Sequence, residues 1–443
     1  MIKRLLNLCV VLGIVNYCFA QEPMDYRACI DYALENNLAL KGFNFRIQKQ
    51  EANTLSAYGN MLPTINGYSS LNISQGRTTD PNTNQIIDAD PFLSNNYGVS
   101  SSITLFNGFR GQNQLKYEKY MLLAFNEDYE KQTNDITYLI LDAYIQYLIN
   151  LGLSEIQLEQ LEASQKEVYR IKKQIELGLS SGSDLYEAEA QMATDEFLLI
   201  QNQNASYSSE NSLKKLLNFP IDSALEIADI EMDTEQLTMV SEDSLTLVNP
   251  YLLPEVKSTM ALLEASKKQF SIAKGSLSPG LSAYGNWGSG YLGTRKDSEG
   301  NLISYGEQIN LNSRIGYGLS LNIPIFYRLS RRNTIQQSMI SLQEAENEMQ
   351  TVLRDTEYLI NEALLDYNGA IAEFQSAKKR EQSMELAFEV IEKKREKGLV
   401  SIMEFYQAKN NLAIAKGQNL RTKLQLFVTE KIIHFYLTGS FLN

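Results

Sequence analysis

An internal repeat with a fixed offset of 220 residues constrains this chain more than any other feature of its sequence. Residues 97–100 (YGVS) are matched by residues 317–320 (YGLS), and residues 178–181 (GLSS) by residues 398–401 (GLVS). The register holds without a gap over roughly 120 residues. Solenoid repeats span only about 20–45 residues, so each half of this chain must form one large supersecondary unit.

The first 20 residues have the pattern of a secretory signal peptide. Lys3 and Arg4 precede an apolar run over residues 5–15, and the segment ends in the small residue Ala20. The alternative is a transmembrane anchor, for which the apolar run is short. We therefore expect residues 1–20 to be removed on export.

Charge and cysteine content limit the classes of partner and fold. The chain has 40 basic and 53 acidic residues, a net charge of −13, and loss of Lys3 and Arg4 would make it −15. Nucleic-acid binding draws most of its affinity from basic residues, so an acidic chain without a basic cluster is a poor candidate. Only Cys29 would remain after export, which leaves no intrachain disulfide.

Long segments rich in helix-forming residues and free of proline cover 92–219 and 325–443. They predict two helical hairpins, over residues 109–217 and 328–437. Apolar residues that lie seven or fourteen apart mark a heptad seam on the first long helix. These residues are Ile140, Tyr147, Leu161, Val168 and Ile175. Shorter helices are predicted before each strand region, at about 38–60 and 251–276.

Each hairpin turn carries its own helix-ending and helix-starting residues. Gly178 and Gly398 are suited to the left-handed conformation that closes a helix. Ser183 or Asp184 is expected to cap the helix after the first turn. After the second turn we expect Ser401 as the cap, with Glu404 completing a capping box.

Period-two alternation predicts two β-strands in each half, over residues 64–74, 97–106, 280–291 and 314–325. One face of each strand is apolar and the other is rich in Gly, Ser and Asn, which is the pattern of transmembrane β-strands. A soluble sheet with one face on a core is the alternative. Residues 75–95 and 292–312 are expected to be long polar loops. We find no segment of about 18 consecutive apolar residues that would form a membrane helix.

Four strands per chain are too few for a closed barrel, because known membrane barrels have at least about eight. An open sheet edge in lipid would leave backbone groups unpaired. Several copies of the chain must therefore share one barrel. Packing the long helices of neighbouring copies side by side would bury the remaining helix faces in the same way.

The order of these features resembles the TolC family of outer-membrane efflux proteins. The resemblance rests on the signal peptide, the duplicated halves, the two Gly-Leu-x-Ser turns and the strand ends at residues 105–110 (LFNGFR) and 323–328 (IPIFYR). It implies an α+β membrane protein of the Gram-negative outer membrane. Each trimer would have a shared 12-stranded β-barrel, continuous with an α-helical coiled-coil barrel in the periplasm.

The resemblance also gives the domain organisation and the partners. The chain divides into a signal peptide (1–20), a first repeat (21–218), a linker in an equatorial girdle (219–248) and a second repeat (249–443). The implied function is the exit channel of an efflux system, joined by a periplasmic adaptor protein to an RND-type or ABC-type transporter. A duct for type I protein secretion is the alternative. An exported coiled-coil protein without a pore is a more remote one.

In the family, the helix turns form the periplasmic tip, which contacts the adaptor and closes the tunnel. The candidate adaptor-contact residues are Gly178, Leu179, Ser181, Gly398, Leu399 and Ser401. The candidate gate residues are Glu404, Gln407 and Asp184. Capping alone is the simpler explanation for these turn residues, and a solvated helix-start acid is the simpler one for Glu404.

The sequence departs from the family pattern at the gate. A second ring acid would be expected where Gln407 stands, a basic residue at Val400 and an aromatic residue at Arg395. We expect Asp184 and Arg395 to pair across the hairpins instead. If three copies of Glu404 converge on a pore, they would bind cations and make conductance depend on divalent ions.

Aromatic residues predicted near strand ends are candidates for the membrane interface, with ordinary sheet packing as the alternative. They are Tyr68, Tyr97, Phe106, Trp287, Tyr291 and Phe326.

Two motif matches suggest enzymes but lack the structural context that an enzyme needs. Residues 178–182 fit a nucleophile elbow, yet a predicted helix precedes them and the only histidine is the distant His434. Residues 288–293 (GSGYLG) fit a dinucleotide-binding pattern without a βαβ unit. We expect no catalytic residues, no cofactor and no metal site.

Overall fold

The computed structural model describes residues 23–79, 84–232, 239 and 248–441. The predicted signal peptide, 1–20, lies outside the described residues, as does much of the predicted linker, 219–248.

Helices account for most of the described chain. They are α1 (Tyr26–Asn36), α2 (Leu38–Gly59), α3 (Arg110–Glu176), α4 (Gly182–Leu217), α5 (Pro254–Gly275), α6 (Tyr305–Leu311), α7 (Ser330–Glu396) and α8 (Ile402–Thr438), with a 3-10 turn at Pro250–Leu252. Helices α3 and α7 each contain 67 residues, which is about 100 Å of helix. Their first residues, Arg110 and Ser330, are 220 positions apart, as in the sequence repeat.

Four strands form one antiparallel sheet in the order β1-β2-β3-β4. They are β1 (Thr64–Thr79), β2 (Ile86–Phe106), β3 (Gly280–Leu292) and β4 (Arg314–Asn322). One end of the sheet joins helices and contains Thr64, Phe106, Gly280 and Asn322. The opposite end joins the loops. Strands β1 and β4 are the two edges, and each pairs with only one described neighbour.

The strand ends correct three sequence predictions. Residues 75–95 are not a long loop, because β1 and β2 continue until only residues 80–85 separate them; the opposite charges of Arg77 and Asp88 pair across the strands at 3.3 Å. The 292–312 segment contains α6 and is not entirely loop. Strand β4 ends at Asn322 rather than 325, since Pro324 has no N–H to donate to a ladder.

The sheet has the two predicted faces. Directly paired residues share a face, and the cross-strand pairs Trp287–Ile315, Ala283–Leu319 and Leu281–Leu321 place apolar side chains on one side. The pairs on the other side consist mostly of Gly, Ser, Asn and Thr, and the rings of Tyr68 and Tyr284 lie against Gly98 and Gly318.

The chain forms two compact units. Unit 1 comprises Met1–Gly42, Tyr129–Leu253 and Asp355–Asn443, and unit 2 comprises Phe43–Asp128 and Pro254–Arg354. Each unit takes segments from both halves of the sequence. The sheet belongs to unit 2, and both hairpin turns belong to unit 1.

The predicted heptad seam lies in the core of unit 1. Ile140 is fully buried, and Tyr147, Leu161 and Val168 are buried. Ile175 is partly buried against the apolar cluster that contains Val168. Tyr144 lies between Ile140 and Tyr147, and its hydroxyl donates hydrogen bonds to the carbonyl oxygens of Met24 and Ala228 at 3.2 and 2.5 Å. The seam prediction is therefore confirmed.

One stretch of α3 is markedly apolar, although it is not a run of consecutive apolar residues. Helix α3 contains an 18-residue window with a mean hydropathy of 1.3, which is long and apolar enough to cross a membrane. Half of that window is buried within the protein. Its apolar residues include Ile136, Ile140 and Ile145 of the unit 1 core. We therefore assign the window to helix packing.

Cys29, the only cysteine outside the predicted signal peptide, is buried in the core of unit 1. Its burial raises the pKa of its thiol to about 12.

A close backbone crossing lies at the helix end of the sheet in unit 2. Gly108 has φ +70°, and a Cβ placed there would lie 2.4 Å from the carbonyl oxygen of Gly275. A Cβ on Gly275 would in turn lie 2.5 Å from the carbonyl oxygen of Gly108. Only glycine fits at both positions, so this close contact determines the path of the chain between the end of β2 and the start of α3.

Candidate functional site: the two helix turns

The first turn joins α3 to α4 and is closed by side-chain hydrogen bonds. Gly178 adopts φ +74°, as predicted. The cap of α4 is Ser181, not Ser183 or Asp184, and Asp184 completes the capping box three residues later. The Ser180 hydroxyl donates to the Asp184 carboxylate at 2.8 Å. That bond, followed by the Ser181 N–H, lowers the pKa of Asp184.

The second turn joins α7 to α8 with the same geometry. Gly398 adopts φ +71°, and Ser401 caps α8 with Glu404 in a complete capping box, as predicted. The Ser401 N–H donates to the Glu404 carboxylate at 2.9 Å, and the Glu404 N–H donates to the Ser401 hydroxyl at 3.2 Å. The Ser401 hydroxyl also contacts the exposed Glu404 carboxylate, at 3.1 Å. The bonds from the Ser401 N–H and from its hydroxyl to the carboxylate lower the pKa of Glu404.

Exposed apolar side chains surround both turns. Leu179 is 74% exposed and Leu399 is 70% exposed, and three further large apolar residues nearby share this exposure. These are Leu177, Tyr186 and Met403. Cβ atoms placed on Gly178 or Gly398 would meet nothing within 4 Å. The turns therefore present an accessible surface that mixes apolar and capping groups, which suits a contact with another protein.

Behind the turns, the two hairpins pack together through a small apolar cluster. Val168 and Ile171 of α3 meet Ala188 of α4 and the buried α8 side chains of Phe405 and Tyr406. A charged groove of about 420 Å³ lies beside this cluster, and its lining includes Glu167, Arg170 and Arg395.

The predicted pairing of Asp184 with Arg395 is wrong. Arg395 of α7 donates two hydrogen bonds to the buried Glu167 of α3, at 3.0 and 2.8 Å, and a third to the Val400 carbonyl oxygen at 3.1 Å. The Asp184 carboxylate already accepts hydrogen bonds from Ser180 and from the N–H of Ser181. The arginine therefore links α7 to α3 and also ties down the second turn.

A buried ion pair, which local sequence patterns did not predict, lies about two helical turns after the start of α8. The Lys409 amine contacts the Asp195 carboxylate at 2.6 Å, the Ser164 hydroxyl at 2.6 Å and the Gln160 carbonyl oxygen at 3.0 Å. Both charged side chains are 2% exposed. Gln191 donates a further hydrogen bond to Asp195 at 2.9 Å. Three helices, α3, α4 and α8, are joined at this point.

A signal for this pair was present in the spacing of α8. Ile402, Phe405, Lys409 and Leu412 are all buried and follow the three-and-four spacing of a packed helix face, so Lys409 occupies a core position. Burial lowers the pKa of Lys409, and the hydrogen bond to Asp195 acts in the opposite direction. The neighbouring Tyr406 hydroxyl is buried without a hydrogen-bond partner among the described residues, and burial raises its pKa.

The predicted gate residues differ in their exposure to solvent. Glu404 and Gln407 are exposed and Asp184 is half-buried, each near the start of its helix. Among the described residues, no group of three His, Cys, Asp or Glu side chains could hold a metal ion. Within one chain Asp184 and Glu404 complete capping boxes. Their role in a gate depends on other copies of the chain.

Unit 2 places most of the predicted interface aromatics on the apolar face of the sheet. The pairing of Val99 with Trp287 and of Asn95 with Tyr291 puts both aromatics on that face, and Tyr97 shares it. The indole N–H of Trp287 donates to the Ser313 hydroxyl at 2.9 Å. Phe106 and Phe326 lie at the helix end of the sheet, and Phe326 is exposed.

Two of these aromatics differ from the prediction. Tyr97 lies in the middle of β2, because that strand begins at Ile86. Tyr68 lies on the polar face, where its ring occupies the space above Gly98. For Tyr68 the physical reason is register, since a change of one position moves a side chain to the opposite face.

One comparison with known proteins identifies a family. A model of the family described as "Outer membrane efflux protein" matches residues 29–218 and 253–432. No curated protein sequence matches the chain.

Several solved structures share the fold. CusC superposes with a TM-score of 0.78 at 17% identity, covering 94% of this chain and 92% of that one. The outer membrane protein VceC from Vibrio cholerae gives 0.78 at 15% identity, with 94% and 96% covered. The CmeC outer membrane channel of Campylobacter jejuni gives 0.77 at 17% identity, with 94% and 85% covered.

Proposed function

Because this chain belongs to the outer membrane efflux protein family, we propose that it forms the outer-membrane exit channel of a tripartite efflux system. The channel would conduct substrates passively from a periplasmic adaptor and inner-membrane pump to the outside. The observation that carries this proposal is the open four-stranded sheet, with one apolar face and two unpaired edges.

The sheet supports an assembly of several copies. In lipid, the backbone groups along β1 and β4 need partners, and only another chain can supply them to a four-stranded sheet. Pairing of β4 in one copy with β1 in the next would close a barrel, and the resemblance to the TolC family implies three copies with twelve strands. The exposed side chains of Ile315, Tyr317, Leu319 and Leu321 would then face lipid. The Gly, Ser and Asn face would line a water-filled lumen.

The long helices support the proposed path through the periplasm and the contact with an adaptor. Three copies of α3, α4, α7 and α8 would form a twelve-helix tunnel in the periplasm, with the two turns of each copy at its end. The exposed Leu179 and Leu399 at these turns support contact with an adaptor protein. The absence of enzymatic activity, cofactors and metals remains a prediction.

The proposal is tested by reconstituting the purified full-length chain in planar bilayers. We expect a cross-linkable trimer in the outer-membrane fraction that gives discrete conductance steps. A soluble monomer, or trimers without conductance under any ionic condition, would rule out a channel and leave the coiled-coil protein without a pore.

A duct for type I protein secretion uses the same architecture and is the second candidate. Deletion of the gene separates the two functions. Greater sensitivity to small toxic compounds with unchanged secreted protein favours efflux, whereas loss of a secreted protein with unchanged sensitivity favours type I secretion.

For the gate, we expect Glu404→Gln to weaken block of the channel by divalent cations. Three exposed carboxylates near a narrow pore would attract cations, and the amide has no charge. The measurement is the concentration of Mg²⁺ that halves the conductance. The matched control is Glu357→Gln, which neutralises an exposed acid of α7 that lies 41 positions before Gly398 and belongs to neither turn. We expect it to leave the block unchanged. Unchanged block in Glu404→Gln would exclude this residue from the gate.

A further inference from the structure

Basic residues are distributed unequally between the two units. Unit 2 has 17 basic and 15 acidic residues, whereas unit 1 has 23 basic and 38 acidic residues. The unit that contains the sheet therefore has a net charge of +2 in a chain whose net charge is −13.

The longest segment without acidic residues runs through the end of the sheet. Residues 308–343 contain no Asp or Glu, but they contain Arg314, Arg328, Arg331 and Arg332. Three of these arginines lie between the end of β4 and the first turn of α7. In a chain with 53 acidic residues, this segment is strongly biased towards positive charge.

The same junction exposes large apolar side chains. Ile325 is 93% exposed and Phe326 is 75% exposed. Arg328 and Arg332 are also exposed, and neither forms an ion pair with any residue in the described ranges. Exposed apolar groups beside unpaired cations are the composition of a surface that binds the interface of an anionic membrane.

Arg331 gives the junction a fixed structure. Its guanidinium lies 3.7 Å from the centroid of the Tyr327 ring and donates a hydrogen bond to the Ser276 carbonyl oxygen. A pocket of about 160 Å³ lies beside it, lined by Ile325, Phe326 and Arg332 among others. The segment is thus held against the end of α5.

The backbone is left-handed at Arg328 and at the next residue, Leu329. Arg328 has φ +47°, a left-handed conformation that glycine adopts readily and arginine does not. The position 220 residues earlier is Gly108, which has φ +70°. An exposed arginine in a conformation that favours glycine is consistent with a function for its side chain.

We propose that the junction segment, residues 323–332, binds the headgroup of an anionic phospholipid. Ile325 and Phe326 would enter the acyl region, while Arg328 and Arg332 would donate hydrogen bonds to phosphate oxygens. The inference rests on the proposed function in one respect, namely that the sheet spans the membrane. The helix end of the sheet would then face the periplasm, so the ligand would be a phospholipid of the inner leaflet.

The test is native mass spectrometry of the purified full-length protein in detergent. The protein is titrated with phosphatidylglycerol or with phosphatidylcholine of the same acyl chains. Each arginine near a membrane surface contributes about fivefold in affinity, so we expect Arg328→Gly/Arg332→Gln to bind phosphatidylglycerol about 25-fold more weakly. Binding of phosphatidylcholine is expected to stay the same.

The matched control is Arg77→Gln/Arg314→Gln, which removes two arginines from the loop end of the sheet. We expect it to keep its phosphatidylglycerol affinity within twofold. Unchanged phosphatidylglycerol binding in the junction variant, or an equal loss in the control, would overturn the inference. Displacement of the lipid by a tenfold molar excess of inorganic phosphate would also overturn it, because the site would then be one for free phosphate.

Two further measurements distinguish failure of the proposed lipid site from loss of stability and from failure of the proposed channel function. Arg328→Gly alone should not lower the thermal unfolding midpoint, since glycine relieves the strained φ; a lower midpoint would contradict our account of that strain. Conductance of the junction variant should match that of the unchanged protein. A protein that never conducts would contradict the proposed function, and phosphatidylglycerol selectivity would still decide the lipid site.

Discussion

Lys409→Met is expected to lower the free energy of unfolding by about 3–5 kcal/mol, which is the usual effect of removing one partner of a buried ion pair. The methionine would fill a similar volume, but the Asp195 carboxylate would remain 2% exposed without its cation. The Ser164 hydroxyl and the Gln191 amide would still donate hydrogen bonds to it. Thermal denaturation followed by circular dichroism at 222 nm, in detergent, measures the loss.

A double variant tests whether the unpaired charge causes this loss. Lys409→Met/Asp195→Leu removes both charges, and we expect most of the lost stability to return, because apolar replacements of a buried pair are often neutral or stabilising. A double variant as unstable as the single one would show that Lys409 acts through packing.

Gly108→Ala is expected to destabilise unit 2 by about 2–5 kcal/mol. The left-handed conformation costs alanine about 1–2 kcal/mol. The new Cβ would also lie 2.4 Å from the carbonyl oxygen of Gly275, and overpacking of this kind costs about 1–3 kcal/mol. The thermal unfolding midpoint and the yield of assembled protein measure the effect.

Gly178→Ala is the matched control for the crossing. Gly178 has φ +74°, close to that of Gly108, but a Cβ there would meet nothing within 4 Å. It should therefore cost only the conformational part, about 1–2 kcal/mol. If both variants lost the same stability, the close approach of Gly108 to Gly275 would have no energetic weight.

Periodicity explains why much of the helical part could be predicted. The seam at Ile140, Tyr147 and Val168 depends on spacing within one helix, which the sequence contains directly. The capping box of Ser401 and Glu404 is equally local. In the first turn, three hydroxyls compete within four residues, and local sequence did not distinguish Ser181 from Ser183 as the cap.

Contacts between distant segments explain the rest. Lys409 and Asp195 are 214 positions apart, so their pairing depends on which helices pack together. The extension of β1 and β2 involves polar residues on both faces, which remove the alternation that marks a strand. The preference of Arg395 for Glu167 over Asp184 likewise depends on packing between α7 and α3.

The two unpaired edges of the sheet also have a genetic consequence. In the proposed trimer each copy supplies β1 to one neighbour and β4 to the other, so one copy with a defective edge interrupts the ring. In a cell that makes normal and defective chains equally, random mixing would leave only about one eighth of the trimers wholly normal. Mutations at these edges should therefore be dominant, whereas a simple loss of the gene should be recessive.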